Sequence, residues 1–162
     1  MNEHITHIQR HSRLGLWTSV ATVIAAGLFL WLSPRQFVQN AYTCQWMLVA
    51  GALLAIGTVS MALLAIRKRI PHLRQSEGLD TKLGGYASHV RHLYRSLAAS
   101  IIILCLMAVV SGQSILLILA IVTTMILILS YPNIYKLKAD LGLTDQEMRH
   151  LFGEKYFDND SQ

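Results

Sequence analysis

Charge is missing from this chain in one long block: Ser96 to Tyr135, forty residues, contains no Asp, Glu, Lys, Arg or His. Over the whole sequence charged residues make up only 14%, against about 25% in an ordinary soluble domain. With 53% apolar residues beside it, that deficit points to a membrane rather than to a water-soluble fold. Cysteine is scarce too. Cys44 and Cys105 make no CxxC and no metal-ligand spacing, so a disulfide framework is excluded as the basis of the fold. Catalytic signatures are absent as well: no G-x-S-x-G, no phosphate-binding glycine loop, no HExxH, and no paired carboxylates in an apolar setting. No enzymatic activity and no cofactor are therefore expected. Glu77 and Asp80, beside His72 and His89, are the only acid–base candidates able to share one membrane surface, and a solvated loop accounts for them.

The same accounting applies inside the apolar runs. None of them carries an ionisable residue, the usual mark of proton relays and ion paths, which argues against a monomeric secondary transporter. Haem between helices is disfavoured because no histidine lies within a run. The formal net charge of +5 does not indicate nucleic acid, because the basic residues sit at helix ends and in one connecting stretch, with no basic–aromatic motif.

What is present is four apolar segments. As one helix, Ser96–Tyr135 would run about 60 Å, roughly twice the hydrocarbon core of a bilayer, so it must fold back. Its one polar break is Ser111-Gly112-Gln113-Ser114. The sequence thus predicts an all-α integral membrane protein: four transmembrane helices as two hairpins, plus a short cytoplasmic C-terminal helix. The spans are expected at about 14–32, 46–66, 94–110 and 115–131, forming one domain over 14–131. A polar arm (1–13) precedes them, a basic cytoplasmic loop (67–93) joins the hairpins, and a cytoplasmic segment (132–162) follows.

Trp17 and Trp31 stand near the two ends of the first span, as in an aromatic belt. Gly51 and Ala55, and Thr18, Thr22 and Ala26, have the small-xxx-small spacing that lets helix backbones approach in lipid. Tyr86, Val90, Leu93, Tyr94 and Leu97 recur at helical period, so the third helix should start ahead of the membrane. Tyr131 to Lys138 alternates apolar and basic residues like an interfacial segment. Thr144 and Glu147 form a capping box, with Leu143 and Met148 as a hydrophobic staple, opening a helix over 145–152. A rival arrangement keeps the last two spans as a re-entrant hairpin, leaving Gly112 and Gln113 in hydrocarbon unless protein buries them.

Of the fourteen Lys and Arg residues, all but Arg35 fall on one side if both termini are cytoplasmic, as the positive-inside rule requires. The candidate functional residues follow from position. His4, His7 and His11 (i, i+3, i+7), and His89 with His92 (i, i+3), have spacings that can bind a metal ion, although no carboxylate or cysteine cluster accompanies them and no metal site is expected. Arg67, Lys68 and Arg69 are candidates for lipid headgroups, or simply topogenic charge. Met148, Leu151 and Phe152 are too few to hold an isolated helix, so they must pack on the bundle, the bilayer or a partner. The hydroxyls within the spans are expected to hydrogen-bond between helices or back to a carbonyl four residues earlier in their own helix.

Tyr131-Pro132-Asn133-Ile134-Tyr135-Lys136-Leu137-Lys138, Asp140-Leu141-Gly142-Leu143-Thr144, Glu147-Met148 and Leu151-Phe152-Gly153 resemble the tail of small uncharacterised four-helix inner-membrane proteins of Bacteroidota. That resemblance implies a bacterial inner membrane and no transferable activity. The functional expectation is a non-enzymatic scaffold or accessory subunit of a membrane complex, contacting lipids and other membrane proteins or copies of itself. The alternative is an oligomeric small-solute or metal-ion transport protein.

Overall fold

A computed structural model describes residues 3–32, 40–75, 78–144 and 146–148. Every regular element among them is helical: α1 (Glu3–Leu32), α2 (Ala41–Gln75), α3 (Leu79–Ser111), α4 (Ser114–Leu129) and α5 (Ile134–Leu141). Three helices are long and apolar enough to cross a membrane, with apolar stretches Ser12–Leu32, Ala41–Ala65 and Leu79–Ser111. The fourth apolar helix, Ser114–Leu129, has 16 residues and so rises about 24 Å, short of a bilayer core of about 30 Å.

α3 is the axis of the structure. Its buried residues, among them Leu83, Tyr86, Val90, Leu93, Leu97, Leu104, Ala108 and Ser111, recur at steps of three and four over the helix's whole 33-residue length. α3 and α4 pack on each other, and each packs on both α1 and α2, whereas α1 and α2 make at most marginal contact. Consecutive in the chain, the first two helices therefore stand on opposite sides of the α3–α4 pair. Gly15 of α1 lies against the Tyr94 ring, Gly27 against Leu117, and the Arg13 Nε–H donates to Tyr131 Oη at 3.3 Å, so α1 runs parallel to α3 and antiparallel to α4. On α2, Thr58 Oγ1 donates to Ser100 Oγ at 3.2 Å, and Gly51 sits over Leu104 and Leu116. α2 thus runs antiparallel to α3.

Small residues decide how closely α2 approaches. Gly51, Ala55 and Ala62 are all buried, so the Gly51–Ala55 spacing does lie in an interface. On α1, Ala26 is buried but Thr18 is exposed, so that triplet does not face inward as a unit. The turn from α3 to α4 is made by Gly112, at φ 69°, whose N–H donates to the Ala108 carbonyl at 2.8 Å. That single 5→1 bond in the left-handed region is available to glycine without steric cost.

Several boundaries differ from expectation. The 1–13 arm is not separate from the first span, because α1 is helical from Glu3. The basic loop expected over 67–93 is mostly helix: α2 continues through Pro71 to Gln75, and α3 begins at Leu79, after Gly78 at φ 97°. Pro71, Gly84 and Gly85 read locally as helix breakers, the glycines costing about 1 kcal/mol each in a helix. Burial of Leu83, Tyr86 and Leu93 along the same turns outweighs that cost, at about 1.5–3 kcal/mol per large side chain removed from water. The alternating stretch after Pro132 forms helix α5. It ends in a Schellman turn, with Gly142 at φ 61° and the Leu143 N–H donating to the Lys138 carbonyl at 3.2 Å.

Beyond the apolar spans, α5 packs on α2, and Leu137, Leu141, Leu143 and Met148 join Leu83, Tyr86 and Val90 in the core cluster. The core is continuous from the apolar helices into this polar end. Exposed large apolar side chains follow the opposite distribution: they crowd α1, α2 and α4 and begin on α3 only at Ile102.

Candidate functional site

The polar end is where the chain brings chemistry-bearing side chains together. The Tyr86 hydroxyl donates to Asp140 Oδ2 at 3.2 Å, tying α3 to α5. Burial, with the Asp140 carboxylate beside it, pushes the Tyr86 phenol well above its ordinary value, so it stays a neutral donor at every physiological pH. The capping box forms with both of its reciprocal bonds. The Thr144 N–H donates to Glu147 Oε2 at 2.8 Å, and the Glu147 N–H donates to Thr144 Oγ1 at 3.3 Å. Leu143 and Met148 are both buried, as the staple requires. Those bonds from Thr144, its backbone N–H first, hold the Glu147 carboxyl below the usual carboxylate range, with Lys82 Nζ at 4.0 Å adding a weaker pull. Lys136 Nζ donates to the Leu129 carbonyl at 3.2 Å, satisfying an open acceptor at the end of α4.

The candidates from sequence separate in this frame. His89 is buried and His92, one turn on along α3, is exposed. Asp80 is exposed while His89 is buried, which separates that acid–base pair, and the side chain of His72 and all of Glu77 lie outside what is described. The side chains of His4, His7 and His11 also lie outside the described residues. Among the described residues, no group of three His, Cys, Asp or Glu side chains is placed to hold a metal ion. Arg67 and Lys68 are exposed on α2, and the Arg69 side chain is not described. Met148 is covered by its own chain, with 2% of its surface accessible, while Leu151 and Phe152 lie outside the described residues.

Inside the apolar helices the hydroxyls are used locally. Thr18, Ser19, Thr22, Thr58, Ser111, Thr123 and Thr124 each donate to a carbonyl four residues earlier in their own helix. Two further bonds join helices: the Tyr94 hydroxyl donates to the Leu127 carbonyl at 3.1 Å, and Gln113 Nε2 donates to the Cys44 carbonyl at 3.1 Å. Cys44 and Cys105 are not joined in a disulfide.

Sequence reasoning missed the arginines of α3. Arg91 and Arg95 lie one turn apart on its exposed side, with exposed His92 between them. Gly15 against Tyr94 puts Arg10 and Arg13 of α1 at their level, and Thr58 against Ser100, in the antiparallel sense, brings Arg67 and Lys68 of α2 to it. These six Lys and Arg side chains are all exposed and form a collar where the apolar surface ends. The available signal was the period of α3: the buried stripe fixes which residues remain outside.

Comparison with protein-family models, curated proteins and solved structures finds no significant match. The helical structure with three membrane-length apolar helices defines the class, a membrane protein.

Proposed function

We propose that the chain is a four-span inner-membrane protein with both termini in the cytoplasm, serving as a non-enzymatic scaffold or accessory subunit of a membrane complex. α4 would complete the fourth crossing despite its length, with the α3–α4 and α1–α2 pairs as its two membrane hairpins. The collar of basic residues at one end supports the orientation, because positive charge is retained on the cytoplasmic side.

The observation that carries the scaffold assignment is the contrast between the two parts of the core. Within the apolar helices most serine and threonine hydroxyls bond to their own backbone, Thr58 also donates to Ser100, the Tyr94 hydroxyl donates to the Leu127 carbonyl, and Gln113 bonds to Cys44. A pore formed by self-association would instead need Gln113, Thr123 and Thr124 turned toward a shared axis, whereas Thr123 and Thr124 are buried within the monomer. At the polar end, by contrast, α2, α3 and α5 build a packed platform outside the spans, which suits contact with a cytoplasmic partner.

Native mass spectrometry of the tagged protein, gently extracted from its own membranes, tests this. A stoichiometric second protein is the expected result. A closed homo-oligomer, especially one retaining a metal ion, would replace the scaffold with a transport function, and a bare monomer with only lipid would count against both.

A further inference from the structure

The α3 face that carries Arg91 and Arg95 has features of a ligand site rather than of a plain helix end. α3 sits between α1 and α2, which hardly touch, so its outward face is floored by one helix and bordered by two. Down this face the side chains change from cationic to apolar in register. Arg91, His92 and Arg95 are followed by exposed Ile102, Ile103 and Leu106 at the same side of the helix. Arg95 to Leu106 is eleven residues, a rise of about 16 Å, comparable with the depth of one leaflet's hydrocarbon. Neither arginine makes an ion pair with a described acidic residue; the acids nearest in the fold are engaged elsewhere, Asp140 by Tyr86 and Glu147 by Thr144 and Lys82.

We infer that this face binds an anionic phospholipid, its phosphate held by Arg91 and Arg95 and an acyl chain lying along Ile102, Ile103 and Leu106. Each guanidinium can fork two N–H donors onto phosphate oxygens, and two of them a turn apart double the donors and the charge that one arginine supplies. The basic pair on α2, Arg67 and Lys68, stands at the same level but on a helix whose apolar-helix neighbours, α3 and α4, lie together on one side, with α5 packing on it at the polar end. It contributes attraction without a bordered seat. The inference rests on the membrane assignment above but not on the scaffold role, since lipid selectivity and partner capture are read by different measurements.

The test uses the full-length protein in neutral detergent micelles with a fluorescent phosphatidylglycerol as probe, competed by unlabelled phosphatidylglycerol or phosphatidylcholine. The wild type should prefer phosphatidylglycerol, and that preference should weaken as salt rises. R91Q/R95Q should reduce the preference about tenfold, in line with the attraction of basic residues for an anionic surface. R67Q/K68Q, which removes the same charge at the same level, should keep most of it. No preference in the wild type, a preference insensitive to salt, or equal losses in the two variants would each overturn the site. If R91Q/R95Q fails to fold, the wild-type titration still overturns the site whenever the preference is absent or insensitive to salt.

Discussion

Gly51 and Gly57 stand on the same helix and show how one methyl group is weighed by its surroundings. A Cβ at Gly51 would collide with Leu116 Cδ2 and lie 3.3 Å from Leu104 Cδ2, whereas a Cβ at Gly57 meets nothing within 4 Å. The Leu116 methyl is the end of a flexible side chain and can yield to alanine, but not to a branched residue in a packed contact. G51V is therefore expected to destabilise the protein by about 1–3 kcal/mol through overpacking. G57A should be neutral or stabilising by up to about 1 kcal/mol, because alanine is the better helix former. Thermal unfolding of the two variants in the same detergent checks the pair, and equal effects would show that α2 does not pack on Leu104 and Leu116 as described. Sequence spacing alone singled out Gly51 but could not say whether it faced a neighbour or lipid. That depended on Leu116, a residue 65 positions away.

Helices α3 and α5 illustrate the scale at which local signals lose to packing. Gly84, Gly85 and the basic run before Pro71 suggested a loop, yet all lie in helices, the two glycines because Leu83 and Tyr86 beside them are buried. In lipid, apolar surface gains little from helix contact, so the spans are held by close small-residue packing and weak polar bonds. At the polar end, water restores the hydrophobic drive, and Leu83, Tyr86, Leu137, Leu141 and Met148 can stabilise an arrangement the local sequence does not favour. The Thr144–Glu147 cap closes that cluster, and its charge state follows pH. Because the folded Glu147 pKa lies below its unfolded value, its stabilisation is present above the ordinary carboxylate range and is lost as pH falls through the folded pKa. Amide hydrogen exchange at Thr144, Glu147 and Met148 should therefore be slow at pH 7 and accelerate relative to the intrinsic rate as pH falls below the ordinary carboxylate range. T144A should raise it at pH 7, since removing a cap costs about 0.5–2 kcal/mol. Protection unchanged in T144A would show that Met148 burial, not the cap, holds this segment.

For the whole molecule the open question is how the four apolar helices meet the bilayer. If all four cross, the α3–α4 turn reaches the face opposite the basic collar. Ser114, which opens α4 at the α3–α4 turn, and Ser88, in the collar-side third of α3, are both exposed, which makes them suitable reporters in a chain with Cys44 and Cys105 replaced by alanine. An impermeant maleimide applied to intact bacteria should label S114C, and should label S88C only after the membrane is permeabilised. A re-entrant hairpin would leave S114C unlabelled in intact cells, while labelling of S88C from outside would invert the orientation.

The sequence by itself determined the solvent. Long runs without charge favour lipid over water, since that preference depends on transfer energies that each residue carries with it. It also determined the caps, because Thr144–Glu147 and Gly112 act within a few residues of themselves. The tertiary structure alone decided that α1 and α2 stand apart around the α3–α4 pair, that Met148 is spent on the chain's own core, that Tyr86 meets Asp140, and that Arg91 and Arg95 are left facing outward. Those outcomes depend on which surfaces fit one another across long separations in the chain, and no local preference encodes that fit.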